Sequence, residues 1–145
     1  MKVSTKGRYG LRIMLDIAVN ENDGGCVSIK DIAGREQLSD KYLEQIISAL
    51  VKAELVSSVR GAKGGYRLRR NADAISVADI LKATEGSLAP ISCAEDNGSC
   101  ERYCECVFSF VWEEMYKAVM ETTGRITLGD IVRRSEEMHH EEKRI

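Results

Sequence analysis

Two scarcities mark this chain: one proline, Pro90, and two histidines, His139 and His140, in 145 residues. So little proline predicts a helix-rich fold. No histidine stands with a nucleophile in any recognisable arrangement, and no glycine-rich phosphate loop follows a strand and opens a helix, so an enzyme has little support. Nor is there an apolar run of the roughly 18 to 20 residues that a membrane span needs. Met1 to Gly7 leads into a mixed helix instead of a signal-peptide core, and the expectation is a cytoplasmic protein with no membrane partner. With 43% hydrophobic and 30% charged residues, the composition excludes disordered, collagen-like and mucin-like chains and fits one domain, or a small domain with an appendage.

Net charge is also nearly absent, at -2, but the total hides an asymmetry. Residues 1–70 carry 13 basic and 8 acidic side chains, whereas residues 71–145 carry 8 and 15. From Val56 to Arg70 there are five basic side chains (Arg60, Lys63, Arg67, Arg69 and Arg70) and no acid. Such a local field attracts a polyanion.

Cysteine is the residue in excess. Five is an odd number, and Cys93, Cys100, Cys104 and Cys106 lie within 14 residues. That is a poor disulfide framework for a reducing compartment, so metal or redox chemistry comes first. Three of the four thiols lie in a polar loop, Ser92 to Glu105, and Cys106 directly follows it; such a loop leaves sulfurs free to converge. Cys100 and Cys104 meet the spacing of a zinc pair, so spacing alone leaves zinc and iron-sulfur open, with a disulfide switch third. Cys26, far along the chain from the others, is assigned to packing.

Apolar spacing predicts a first helix from Ser4 to about Asn20, stopped at Gly24-Gly25. Ser28 to Asp31 resembles a capping box for a short helix ending near Gln37. Ser39 caps another, in which Leu43, Ile46, Ile47 and Leu50 form one apolar stripe with Lys41, Gln45, Ser48 and Lys52 opposite. Two helices across a short turn form a helix-turn-helix. Val56–Arg60 and Tyr66–Arg70 then read as a hairpin turning at Gly61 to Gly65, and a basic hairpin in this position is a wing. Ser76 caps a further helix that ends at Glu85-Gly86. From about Cys106 the chain is helical again, apolar on nearly every side, so this helix is expected to cover its own subunit and a partner. Thr127 starts a last helix that fades into a charged tail.

The fold class is therefore mainly α with a small β-hairpin: a winged helix-turn-helix domain plus a long dimerisation helix. The expected divisions are a DNA-binding domain at 1–85, a cysteine loop at 86–106, the dimerisation and C-terminal helices at 107–134 and a tail at 135–145. In the major groove, Gln45 would pair with adenine, Glu44 would accept from the cytosine amino group, and Lys41 would donate to guanine or phosphate. Lys63, Arg67 and the amides of Gly64 and Gly65 would hold phosphates, as would Ser4, Thr5 and Lys6 at the start of the first helix. Ser39, Tyr42 and Tyr66 complete the candidate DNA-binding set. The candidate dimer contacts are Phe108, Val111, Trp112, Met115, Tyr116 and Val119.

Four segments carry a resemblance: Ser4-Thr5-Lys6-Gly7-Arg8-Tyr9-Gly10, Leu38 to Gln45, Ser58 to Tyr66, and Ile126-Thr127-Leu128-Gly129-Asp130. Together they resemble the bacterial winged-helix regulators of the iron-sulfur-sensing IscR type, over roughly Lys2 to Val132. The resemblance implies a homodimeric transcription factor on palindromic double-stranded DNA that senses iron-sulfur status through a 2Fe-2S cluster and controls iron-sulfur biogenesis genes. It also implies that Arg60 reaches the minor groove, that Glu44 helps choose between operator classes, and that Cys93, Cys100 and Cys106 match the three cysteine ligands. The family's histidine ligand falls at Ser109, a poor iron ligand, which leaves Cys104 as the candidate fourth. The alternative is a cluster-free thiol-redox or zinc-stabilised regulator of sulfur and cysteine metabolism. The nitric-oxide-sensing branch resembles a pattern with an acidic ligand in the first helix, where this chain has Arg8. Asp16 and Glu21 read as solvated helix acids.

Overall fold

Serine and threonine set the helix starts. A computed structural model describes residues 2–21 and 25–145. Among them are six α-helices: α1 (Thr5–Asn20), α2 (Ile29–Glu36), α3 (Asp40–Lys52), α4 (Val77–Glu85), α5 (Ser109–Arg125) and α6 (Leu128–Glu142). Ser4, Ser28, Ser39, Ser76 and Thr127 each accept a hydrogen bond from a backbone N–H three residues on, which satisfies an otherwise orphaned donor. At α4 and α6 the bond is reciprocated by Asp79 and Asp130, completing capping boxes. Helix α1 ends at Asn20, and the Glu21 N–H donates to the Ile17 carbonyl. Of its expected glycine stop, Gly24 lies outside the described residues.

Strands β1 (Val56–Val59) and β2 (Gly65–Leu68) pair antiparallel, with Val56 opposite Leu68 and Val59 opposite Gly65. The hairpin is one residue shorter in each strand than expected, and its second strand, β2, starts one residue earlier, at Gly65, and ends at Leu68. Its far-end arginines turn instead to acids: Arg69 pairs with Glu54 at 3.7 Å and Arg70 with Asp79 at 3.9 Å.

The core is assembled from the stripes the periodicity marked. Ile13, Met14 and Ile17 of α1, Ile32 of α2, and Leu43, Ile46, Ile47 and Leu50 of α3 are at most 1% exposed, together with Leu55, Ile75, Ile80 and Leu128. Each such side chain contributes roughly 1.5–3 kcal/mol of transfer free energy. Leu128 belongs to α6, so the C-terminal helix is part of the same core as α1 to α4. Backbone bonds from the Leu128 N–H to the Ile75 carbonyl and from the Val77 N–H to the Ile126 carbonyl stitch the two ends of the chain together.

Three expectations change. Helix α5 begins at Ser109, three residues later than expected, because Tyr103–Glu105 form a 3-10 turn and no side chain caps the helix at Phe108. Helix α6 runs to Glu142 and absorbs most of the charged tail, since neither glycine nor proline follows Gly129 and the pairs Arg134–Glu137 and His139–Glu142 support the helix at i, i+3. Finally, Asp16 and Glu21 are not solvated acids. Asp16 is 6% exposed and accepts from Arg35 Nε and Nη2 at 2.7 and 2.8 Å, tying α1 to α2. Burial works against the Arg35 charge, but the Asp16 bond outweighs it and holds the guanidinium pKa above its usual value. Glu21 accepts from the Leu68 N–H at 2.8 Å and so ties α1 to the hairpin.

Candidate nucleic-acid interface and cysteine loop

The candidate interface is built on three walls. The stripe of α3 faces the core, which forces Lys41, Glu44 and Gln45 outward, and all three are exposed. Tyr42 is half-buried on the flank, its ring edge-on to Tyr9 of α1 with centroids 6.1 Å apart. Tyr42 therefore fixes α3 against α1 as well as bordering the DNA face. Ser39 is spent on the cap, accepting from the Tyr42 N–H at 3.2 Å.

The second wall is the hairpin. Its second strand is fixed by a two-bond bridge, in which Val27 and Tyr66 exchange N–H to carbonyl bonds at 2.8 Å. Gly65 makes this close approach possible: a Cβ there would collide with the Val27 carbonyl, and its φ of +155 disfavours other residues. Gly61, at φ +114, makes the turn. Cys26, assigned to packing, has a further role here, because its thiol donates to the Lys63 carbonyl at 3.0 Å. Arg60, Lys63 and Arg67 are exposed, and among the described residues none is held in an ion pair. Gly64, Gly65 and Tyr66 are half-buried.

The third wall is the start of α2, where Lys30 is exposed and lines the same groove as Glu44 and Arg60. Sequence periodicity gives no hint of Lys30, because its neighbours across the groove come from other elements.

At the other end of the interface, Ser4 is engaged by protein. Its N–H and hydroxyl both donate to Glu85 Oε1, at 2.9 and 2.6 Å, while the hydroxyl also accepts from the Gly7 N–H. Thr5 accepts from Arg8. Lys6 is half-buried. Glu85 was not anticipated as a partner for this helix start, although its place at the end of α4 is legible.

Between α4 and α5 the cysteine segment forms three short 3-10 turns, Ser92–Ala94, Asn97–Ser99 and Tyr103–Glu105. Cys104 is exposed and Cys93, Cys100 and Cys106 are half-exposed, all as free thiols. Among the described residues, no three Cys, His, Asp or Glu side chains are grouped as metal ligands. To hold a metal ion or a cluster, the thiols would have to be drawn together from this arrangement. The hydroxyl of Ser109, at the histidine position of the sequence resemblance, donates to the Cys106 carbonyl at 3.0 Å. Glu95, two residues beyond Cys93, instead accepts from Ser87 and from the Tyr116 hydroxyl, which fastens the loop to α5. Burial first, and the Glu95 carboxylate second, raise the Tyr116 phenol above its ordinary value.

The candidate dimer residues divide between two faces of α5. Trp112, Tyr116 and Val119 are half-buried on the inner side, toward the rest of the chain, whereas Phe108 and Met115 are 60% and 38% exposed on the outer side with Val111 between them. No residue of α5 is fully buried.

A helix-turn-helix with a basic hairpin has counterparts among known proteins. The model of the Rrf2 family, described as iron-dependent transcriptional regulators, matches residues 3–134. The chain belongs to the Rrf2 family. It is 43% identical to Protein rrf2 of Nitratidesulfovibrio vulgaris, over 92% of this chain and 88% of that protein. It is 42% identical to the HTH-type transcriptional regulator CymR of Bacillus subtilis, over 90% and 89% of the two chains. Among solved structures it is similar to T. potens IscR, with a TM-score of 0.74 and 43% identity across 95% of this chain and 90% of that one. Rrf2 proteins are DNA-binding transcriptional regulators and not enzymes. No described helix is long and apolar enough to cross a membrane.

Proposed function

We propose that the chain is a homodimeric, cytoplasmic transcription factor that reads palindromic double-stranded operators and reports iron-sulfur status through its cysteine loop, controlling iron-sulfur biogenesis genes. The observation that carries the DNA reading is the joint exposure of Lys41, Glu44 and Gln45 beside Arg60, Lys63 and Arg67, which among the described residues are held in no ion pair. The side chains on α3 choose bases, and those on the wing hold the backbone. Dimerisation through α5 is supported by its outer stripe. Phe108, Val111, Met115, Ala118 and Thr122 recur at alternating steps of three and four residues, the seam of a two-helix contact. Two such subunits present two α3 helices, which suits half-sites about one or two helical turns apart.

In this reading Cys93, Cys100 and Cys106 are thiolate ligands of a 2Fe-2S cluster, and Cys104 replaces the absent histidine. A bound cluster supplies sensitivity to iron, sulfide and oxidants. The loop must close from the arrangement described above to hold it. The similarity to CymR favours a second reading, a zinc-stabilised or thiol-redox regulator of sulfur and cysteine metabolism.

Anaerobic purification separates the two. Iron with acid-labile sulfide and a visible spectrum supports the cluster, and a colourless zinc protein refutes it. Operator titration of holo and apo protein side by side then gives the direction of regulation. A Cys104→Ala protein whose spectrum and cluster stability match wild type eliminates Cys104 as the fourth ligand.

A further inference from the structure

A groove of about 510 Å³ separates the wing from the helix-turn-helix, and the charged residues lining it are Lys30, Glu44 and Arg60. Glu44 is the only acid among them, on the helix that reads bases. Lys30 and Glu44 are both exposed, and among the described residues neither is held in an ion pair. We infer that Lys30 is a specificity-determining residue: it is the counter-charge that Glu44 takes when no cytosine amino group is presented to it. The inference rests on the DNA reading proposed above.

The walls of the groove are fixed. Ser28 caps α2 by accepting from the Asp31 N–H at 3.2 Å, and the Val27–Tyr66 bridge ties the entrance of α2 to the wing. The Cα of Lys30 is thereby held, while its ammonium swings on a flexible four-carbon stem. Arg60 directly follows β1 at the turn of the wing, and in the DNA reading it is taken up by the minor groove. Lys30 thus has two competing partners, a phosphate and Glu44. When Glu44 accepts from cytosine, Lys30 is released to a phosphate. With another base, an unpaired carboxylate would face acceptor groups and phosphates, and Lys30 neutralises it at the expense of the phosphate contact. Specificity is a difference between two affinities, and Lys30 reduces it by relieving the penalty on the wrong base.

The test uses the full-length dimer and random duplex DNA. Wild type, Lys30→Met, Glu44→Ala and the double variant each select a motif from the same library. Selected duplexes with every base pair substituted at the Glu44 position are then titrated across a salt series. Methionine keeps the length and helix propensity of lysine without its charge. Lys30→Met is expected to weaken every duplex but the non-cytosine ones more, sharpening the preference for cytosine by about twofold, less than one exposed ion pair because the cytosine duplex loses a phosphate contact. Its salt slope should fall by roughly one on the cytosine duplex and stay unchanged on the others. In the Glu44→Ala background the same change should lower the slope on every duplex and alter no preference.

A uniform loss across bases in both backgrounds, or an unchanged preference, overturns the role of Lys30 and leaves the DNA reading intact. A wild-type protein that selects no motif overturns both.

Discussion

Replacing Arg35 by alanine probes the contact that holds the two helices in front of the DNA-reading helix together. The Asp16 side chain is 4% exposed and that of Arg35 41%, with two charge-assisted bonds between them. Removing one partner of a fully buried pair costs about 3–5 kcal/mol, because the remaining charge stays desolvated. Arg35 opens to solvent on one side, so water follows into the vacated space and the expected loss is lower, about 2–3 kcal/mol. For a chain of this length that corresponds to a melting temperature about 5–10 °C lower. Denaturant unfolding of Arg35→Ala, Asp16→Asn and the double variant supplies the measurement. The double variant should lose less than the sum of the two single losses, since the pair acts as one unit. An Arg35→Ala protein as stable as wild type, or strictly additive losses, would refute the claim that this bridge holds α2 on α1.

Lys63→Ala is expected to weaken binding to every duplex and to lower the salt slope by roughly one, whereas Glu44→Ala changes which duplexes bind; anisotropy titrations at several salt concentrations distinguish the two. Met115→Glu puts a carboxylate into the outer stripe of α5 and should convert the dimer to a species of half the wild-type mass by light scattering, with the helical signal retained. Asp130 is held below the usual carboxylate range, first by the Thr127 N–H, then by Arg133 and the Thr127 hydroxyl. A lowered folded value means that the stabilisation is present above the unfolded value near ~3.9 and is lost as pH falls through the folded one. The start of α6 should therefore loosen below about pH 4, and Asp130→Asn should remove that acid-side dependence in circular dichroism titrations.

Helix starts were readable because a capping serine acts on a backbone donor three residues away. The stripe of α3 was readable for the same local reason, since 3.6-residue periodicity needs no knowledge of neighbours. The exposure of Lys41, Glu44 and Gln45 follows from it. What periodicity misread was decided by partners distant in sequence. Asp16 looks like a solvated helix acid until Arg35, 19 positions on, closes over it. Glu21 looks the same until the Leu68 amide arrives. The uniformly basic 56–70 stretch divides once folded, because Arg69 and Arg70 meet Glu54 and Asp79 while Arg60, Lys63 and Arg67 do not.

By itself, the residue order determined the helix-turn-helix, the wing, the cysteine-rich loop and the family, all of which depend on spacings within short segments. Only the tertiary structure decided that α6 closes the core built by α1 to α4, that α5 keeps one face covered and one face exposed, and that Lys30 shares a groove with Glu44. It also decided that four closely spaced thiols do not converge in the conformation described. Sequence proximity sets how near donors can come, but the direction of each sulfur depends on the turns between them, and the first of those turns is tied through Glu95 to Ser87 and Tyr116 outside the motif.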